Sequence, residues 1–188
     1  AGIGSMIGGY PSAVVDRGAD VDPSAMNADF LDRLLTAPAG VIMNGATWDP
    51  VSRELEVSVK STFSQSVTNA YRLACVLSED GVTGTDAGYN QSNAYAGGGN
   101  GIMGGYESLP SSVPAAQMVY DHVARAIAPS FDGSSIFFPA TVNPGESVVS
   151  NYSFILPADW NAENMHIIGM LISPNGRIDN AGSTSISE

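Results

Sequence analysis

Residues 54–63 read Glu-Leu-Glu-Val-Ser-Val-Lys-Ser-Thr-Phe, and this alternation narrows the available folds more than any other feature of the chain. In an extended strand, Leu55, Val57, Val59 and Phe63 fall on one face and Glu54, Glu56, Ser58 and Lys60 on the other. A strand of that kind needs a core on one side and water on the other, which antiparallel sheets provide. The preceding run, Val41 to Trp48, reaches it through Asp49-Pro50-Val51-Ser52-Arg53, a turn-rich connection that predicts a hairpin.

Further runs extend the pattern. Tyr71, Leu73, Cys75 and Leu77 share one face, Tyr152, Phe154 and Leu156 alternate with Asn151 and Ser153, and Met165 to Ser173 is joined to Arg177 to Asn180 by Pro174-Asn175-Gly176. Ser135 to Phe138 completes the series. About seven short strands separated by Gly, Pro and Asn predict a mainly β fold, a sandwich of the immunoglobulin or fibronectin type. Cys75 is the only cysteine, so no internal disulfide can bridge the sheets, and aromatic packing around Trp48 or Trp160 is expected in its place. Met118 to Ala128 is ambiguous: Met118, His122, Ala126 and their neighbours suit a helical stripe, while Val119, Val123 and Ile127 share one face of a strand.

The front of the chain has a different period. Ile7-Gly8-Gly9-Tyr10-Pro11 suits a tight X-Pro turn feeding an apolar strand through Val15. Asp22 can then cap a helix with Pro23 at its first position, and Met26, Phe30 and Leu34, joined by Leu31 and Leu35, form one apolar stripe before Pro38 and Gly40. The change from helical to alternating period predicts a boundary near residues 37–40, giving segments 1–38 and 39–188. Residues 79–114 lack periodicity and predict a long loop, of the length that is functional or disordered.

Composition limits the partners. Seven basic residues against nineteen acidic ones give a formal net charge of −12, which repels nucleic acid. No run approaches the roughly eighteen apolar residues of a membrane helix, and no basic stretch with an apolar segment opens the chain, so any export signal is expected to have been removed. Mean hydropathy is +0.06 and 44% of residues are hydrophobic, enough for a real core.

No catalytic constellation or cofactor motif emerges. Cys75 lies on an apolar face and reads as a buried, inert thiol. His122 and His166 have no second ligand at metal spacing and read as structural histidines. Gly99-Asn100-Gly101-Ile102-Met103-Gly104 matches G-x-G-x-x-G but lacks the strand before and helix after that a dinucleotide site requires, so it reads as flexible loop. Glu79, Asp80 and Asp86 offer hard oxygen ligands suited to calcium, without EF-hand spacing. Tyr89, Tyr95 and Tyr106 with Asn90, Asn93 and Asn100 make an adaptable surface for contact with a protein or glycan.

Two resemblances add to these readings. Gly9-Tyr10-Pro11 followed by Ser12 to Asp16 and the helix from Pro23 resembles the C-terminal β-β-α half of a thioredoxin fold, which implies a cis-proline at Pro11. Tyr120 to Ala126, Leu156-Pro157-Ala158-Asp159-Trp160-Asn161-Ala162-Glu163-Asn164-Met165-His166-Ile167-Ile168-Gly169 and the hairpin arm from Gly176 to Ala181 resemble the immunoglobulin-like domain of the outer-membrane-protein-28-related family of Bacteroides-type bacteria. That resemblance implies a strand across His122 to Ala126 and an exported protein of the outer membrane or cell surface. Redox activity is not implied, because no Cys-x-x-Cys is present. The expectation is a non-enzymatic interaction module; the alternatives are the C-terminal portion of a thiol-disulfide oxidoreductase and a structural assembly subunit. Residues 1–36 are expected to dock their apolar strand and stripe on the sandwich or on a neighbouring chain.

Overall fold

A computed structural model describes residues 2–9 and 11–186. Two compact units form: Ala1–Ser78 together with Ala124–Glu188, and Glu79–Val123. In chain order the elements are β1 (Ala13–Val14), β2 (Asp20–Val21), α1 (Met26–Leu34), β3 (Gly40–Asp49), β4 (Glu54–Phe63), β5 (Val67–Thr68), β6 (Arg72–Glu79), β7 (Gln91–Ser92), β8 (Ser112–Val113), β9 (Val123–Ala128), β10 (Thr141–Val142), β11 (Ser147–Ile155), β12 (Met165–Ile172) and β13 (Ile178–Ser185).

The alternation in residues 54–63 becomes β4, the centre of a three-stranded sheet ordered β11-β4-β3. Its hairpin with β3 runs from Gly40 opposite Phe63 to Asp49 opposite Glu54. A four-stranded sheet ordered β13-β12-β6-β9 supplies the other layer. Leu55, Val57, Val59 and Phe63 of β4, Leu73, Cys75 and Leu77 of β6, and Met165, Ile167 and Leu171 of β12 are buried in one apolar core. Each large aliphatic side chain placed there contributes about 1.5–3 kcal/mol.

The sheets meet most closely at β3. Asn44 reaches across and its Nδ2 donates to the carbonyls of Ile167, at 3.2 Å, and Gly182, at 2.7 Å. Gly169 and Gly182 are cross-strand partners, and together they make room for this approach. A β-carbon on Gly169 would run into Asn44 Oδ1 and lie 2.8 Å from Val59 Cγ1, and one on Gly182 would lie 3.0 Å from Ile42 Cγ2.

The Leu156 to Trp160 block is shaped by Arg53, a left-handed residue (φ 57°) in the β3–β4 turn. Its guanidinium donates to the carbonyls of Leu156, Pro157 and Trp160 at 2.9, 2.7 and 2.8 Å and lies over the Trp48 ring. Neither tryptophan is the centre of the core; both are half-buried at its margin. The central aromatic is Phe63, edge-on to Tyr71 and Phe138 at centroid distances of 6.1 and 6.0 Å.

Several expectations need correction. Ser135 to Phe138 is a turn with one bridge at Ser134, not a strand, and it leaves Ile136 and Phe137 exposed while Phe138 enters the core. The ambiguous segment is extended from Val123, with Ala126 and Ala128 turned toward the core at period two; the neighbouring β6 outweighs its local helical pattern. His122 is not inside a strand but precedes β9 at φ 57°. The final strand continues to Ser185, well past Asn180.

The front of the chain forms β1, β2 and α1, so a β-β-α order exists, but the strands have two residues each and are not buried. β1 is cut short by Asp16 and Arg17, consecutive left-handed residues at φ 50° and 58°. Tyr10, and with it the Tyr10–Pro11 bond on which the cis expectation falls, lies outside the described residues. The helix does not dock through its stripe: Phe30, Leu34 and Leu35 are 49%, 65% and 87% exposed. Its anchor is Arg33, which donates to Asp16 Oδ2 at 2.8 Å and to the Ile178 carbonyl at 3.0 Å.

Candidate functional site

The segment expected to be a structureless loop folds into the second compact unit. Val82 and Tyr120 exchange backbone hydrogen bonds of 2.8 and 2.9 Å where it begins and ends. Asp121 accepts from the Gly81 N–H, and Asp80 accepts from the His122 N–H and lies 3.0 Å from His122 Nδ1. Beyond this neck, β7 pairs with β8, and Val113, Ala115 and Met118 are buried.

The asparagines singled out for recognition are mostly occupied in holding this unit together. Asn93 is buried; its Nδ2 donates to the carbonyls of Tyr106 and Pro110 at 2.7 and 3.1 Å, and its Oδ1 accepts from the Tyr95 N–H at 3.0 Å. Asn90 Oδ1 accepts from the Ala115 N–H, and Asn100 Nδ2 donates to the Ala94 carbonyl. Tyr89, Tyr95 and Tyr106 are half-buried, with Tyr89 stacked at a tilt on Tyr120, whose hydroxyl donates to the Tyr89 carbonyl at 2.8 Å. What the unit leaves most open is the glycine-rich tip from Gly97 to Gly105, which carries Ile102 at 88% exposure and Met103 at 49%. Glu107 closes the base of that tip by accepting from the Met103 and Gly105 N–H groups, which holds its carboxyl below the usual carboxylate range.

Gly99 to Gly104 contains no helix start, so its match to a dinucleotide-site pattern has no backbone cradle behind it. Among the described residues no three His, Cys, Asp or Glu side chains converge as a metal site, and Asp86 stands alone ahead of a single helical turn. Cys75 is fully buried and its thiol is pushed up to about 12 by burial, so it provides no thiolate at neutral pH. His166 lies in β12 opposite Ser185.

A groove of about 330 Å³ is lined by Phe30, Arg33 and Leu34 of α1 together with Asp16 and Asp179. Asp179 Oδ2 accepts from the Ala39 N–H at 2.8 Å. Burial raises its carboxyl pKa, aided by Asp16, while the Ala39 and Gly40 N–H groups and Arg33 pull it down. A raised carboxylate pKa means that the folded state holds the proton more tightly, so this group favours folding most at acid pH and loses that contribution as pH rises through its folded pKa. Asp179→Asn keeps an acceptor for Ala39, and its thermal midpoint relative to the natural chain is expected to rise between about pH 4 and pH 7. A relative midpoint that falls over that range would show that Arg33, and not burial, controls the group. No local pattern marks Arg33 or Asp179: one lies in α1 beside its apolar stripe and the other in β13, and only folding brings them to one groove.

An acidic, mainly antiparallel-β chain with an inserted second compact unit is the class these observations define. The chain belongs to the family described as Outer membrane protein Omp28, whose profile matches residues 6–188, and it is thus an exported protein of the outer membrane or cell surface. Among solved structures, a domain of the outer membrane lipoprotein Omp28 from Porphyromonas gingivalis is similar at 12% identity and a TM-score of 0.41, over 81% of this chain and 93% of that one. No curated protein matches the sequence. No helix among the described residues is long and apolar enough to cross a membrane.

Proposed function

We propose that this chain is a non-enzymatic, outer-membrane-associated binding module that presents the Glu79–Val123 unit to a protein or glycan. The observation that carries this reading is an ordered unit whose polar side chains are tied up internally while its tip exposes Ile102 and Met103. An apolar tip on a hydrogen-bonded base suits contact with a partner. The scaffold reading is immunoglobulin-like. In its two main sheets the first two strands and the fifth form one layer, β11-β4-β3, and the third, fourth, sixth and seventh form the other, β13-β12-β6-β9. The β1, β2 and α1 order is read as the thioredoxin-like β-β-α arm ahead of it.

Because β6 and β9 are sheet neighbours, residues 80–122 can be replaced by a two-residue turn. Labelled full chain is expected to bind whole Bacteroides-type cells or arrayed glycans, and the shortened chain to lose that signal while keeping its β-sheet circular dichroism. Equal signal from both, including none from either, overturns the reading.

A further inference from the structure

We propose that Arg17, Arg72 and Arg177 form a phosphate-binding site on the outer face of the four-stranded sheet, separate from the Glu79–Val123 unit. The chain has seven basic residues in all, against nineteen acidic ones, and three of the seven lie around the Arg17–Gly18 segment and the Phe131–Gly133 turn. Arg72 opens β6 on the same face as Ala74, opposite the core-facing Leu73 and Cys75. The Ser130 to Ser134 turn crosses the start of this strand, where Leu73 and Ser134 exchange backbone hydrogen bonds of 2.9 Å. A β-carbon on Gly133 in that turn would lie 3.3 Å from Arg72 Cβ, and two residues earlier Phe131 holds Arg17 Cζ 3.8 Å from its ring centroid. Arg177 comes in from the β12–β13 hairpin: a β-carbon on Gly18 would lie 2.5 Å from its Nη2 and 3.2 Å from its Cζ.

Like charges repel, so the proximity of Arg72 to Arg17 needs compensation. Arg33 and Arg53 show what a structural arginine does in this fold, each spending its donors on carboxylate or carbonyl oxygens. Arg72 and Arg177 differ. The Nε of each is buried and has no hydrogen-bond partner among the described residues. Buried donors left unpaired are costly and uncommon, and here two arginines that carry them flank the Arg17–Gly18 segment. The backbone aiming Arg17 is itself strained, with Asp16 and Arg17 both left-handed at φ 50° and 58°. Burial lowers the Arg17 pKa, Asp132 opposes that, and the charge of Arg72 adds to it.

The charge balance selects the ligand. Asp132 opposes the charge of Arg72 at Arg17, and none of the three arginines has an ion pair among the described residues, which leaves positive charge unneutralised. A phosphate group carries about −1.5 to −2 at neutral pH and accepts forked hydrogen bonds from several guanidinia at once, whereas a single carboxylate would leave positive charge over. The same chemistry serves a free phosphate and a phosphorylated lipid headgroup.

Inorganic phosphate, titrated at ionic strength matched with chloride, is expected to shift the Nε–H resonances of Arg72 and Arg177 and to raise the thermal midpoint of the full chain. Arg72→Gln and Arg177→Gln are each expected to weaken phosphate binding by about tenfold or more, while Lys60→Gln, on the exposed face of β4, leaves it unchanged. The resonance shifts need no variant, so they decide the matter even if a variant fails to fold. Flotation with phosphatidate-containing vesicles, compared with phosphatidylcholine alone, separates the sources. Capture by phosphatidate assigns a headgroup, and phosphate binding without capture assigns a free phosphoryl group. If phosphate acts no differently from chloride and neither resonance moves, the cluster attracts an adventitious ion only and the proposal falls.

Discussion

Gly169→Ala is expected to destabilise the protein by on the order of 3 kcal/mol, lowering its thermal midpoint by roughly 6–12 °C. The sign is the informative part. Alanine in place of a strand glycine ordinarily stabilises by about 0.5–1 kcal/mol, because glycine loses more backbone freedom on folding. Gly169 is different because its Cα faces the Asn44 amide, with Val59 Cγ1 and Ile42 Cγ2 completing the wall at 2.8 and 3.1 Å from an added β-carbon. A methyl group there must displace Asn44, whose Nδ2 holds the Ile167 and Gly182 carbonyls, or push the two sheets apart. Gly45, one residue beyond Asn44, has open space around an added β-carbon, so Gly45→Ala is expected to be neutral or slightly stabilising. Denaturant unfolding of both variants checks the pair, and a Gly169→Ala protein as stable as Gly45→Ala would remove Asn44 as the cross-sheet tie.

Asn93→Ala is expected to loosen the Glu79–Val123 unit while leaving the sandwich intact. Its side chain serves the Tyr106 and Pro110 carbonyls and the Tyr95 N–H in a buried position, so truncation strands three backbone groups away from water. At about 1–3 kcal/mol per stranded group, partly relieved by entering water, local stability is expected to fall by on the order of 2–3 kcal/mol. Amide exchange at residues 91–113 then quickens by roughly 30- to 150-fold, while β4 and β12 amides keep their protection. Asn93→Asp has nearly the same shape but no donors, and is expected to behave like alanine at the Tyr106 and Pro110 carbonyls. If residues 91–113 exchange unchanged in both variants, Asn93 is not what orders the unit.

The strands with one wet face were the most legible part of the chain. In β4 and β11 a period of two records which side faces the core, and the β3–β4 hairpin follows from that and from a turn-rich connection. The Met118 to Ala128 segment misled locally because small and apolar residues at its positions satisfy both periods, and pairing with β6 chose between them. Residues 79–114 predict an open loop because asparagine, glycine and tyrosine have no period. The order of the Glu79–Val123 unit comes from amide side chains that bond to backbone groups up to 25 residues away.

Amphipathic pattern, turn chemistry and charge were properties of the chain itself: they set the strand faces, the mainly β class and the net acidic charge. The pairing of distant residues was a product of folding. Arg53 meets Leu156 across 103 residues, Asn44 meets Gly182 across 138, and Arg33 meets Ile178 across 145. Local preference acts over a few residues, whereas these contacts depend on how two sheets pack and on which side chains that packing brings within hydrogen-bond reach. The exposure of the α1 stripe and the closeness of Arg17 to Arg72 belong to that second kind, because neither is written in any single stretch of sequence.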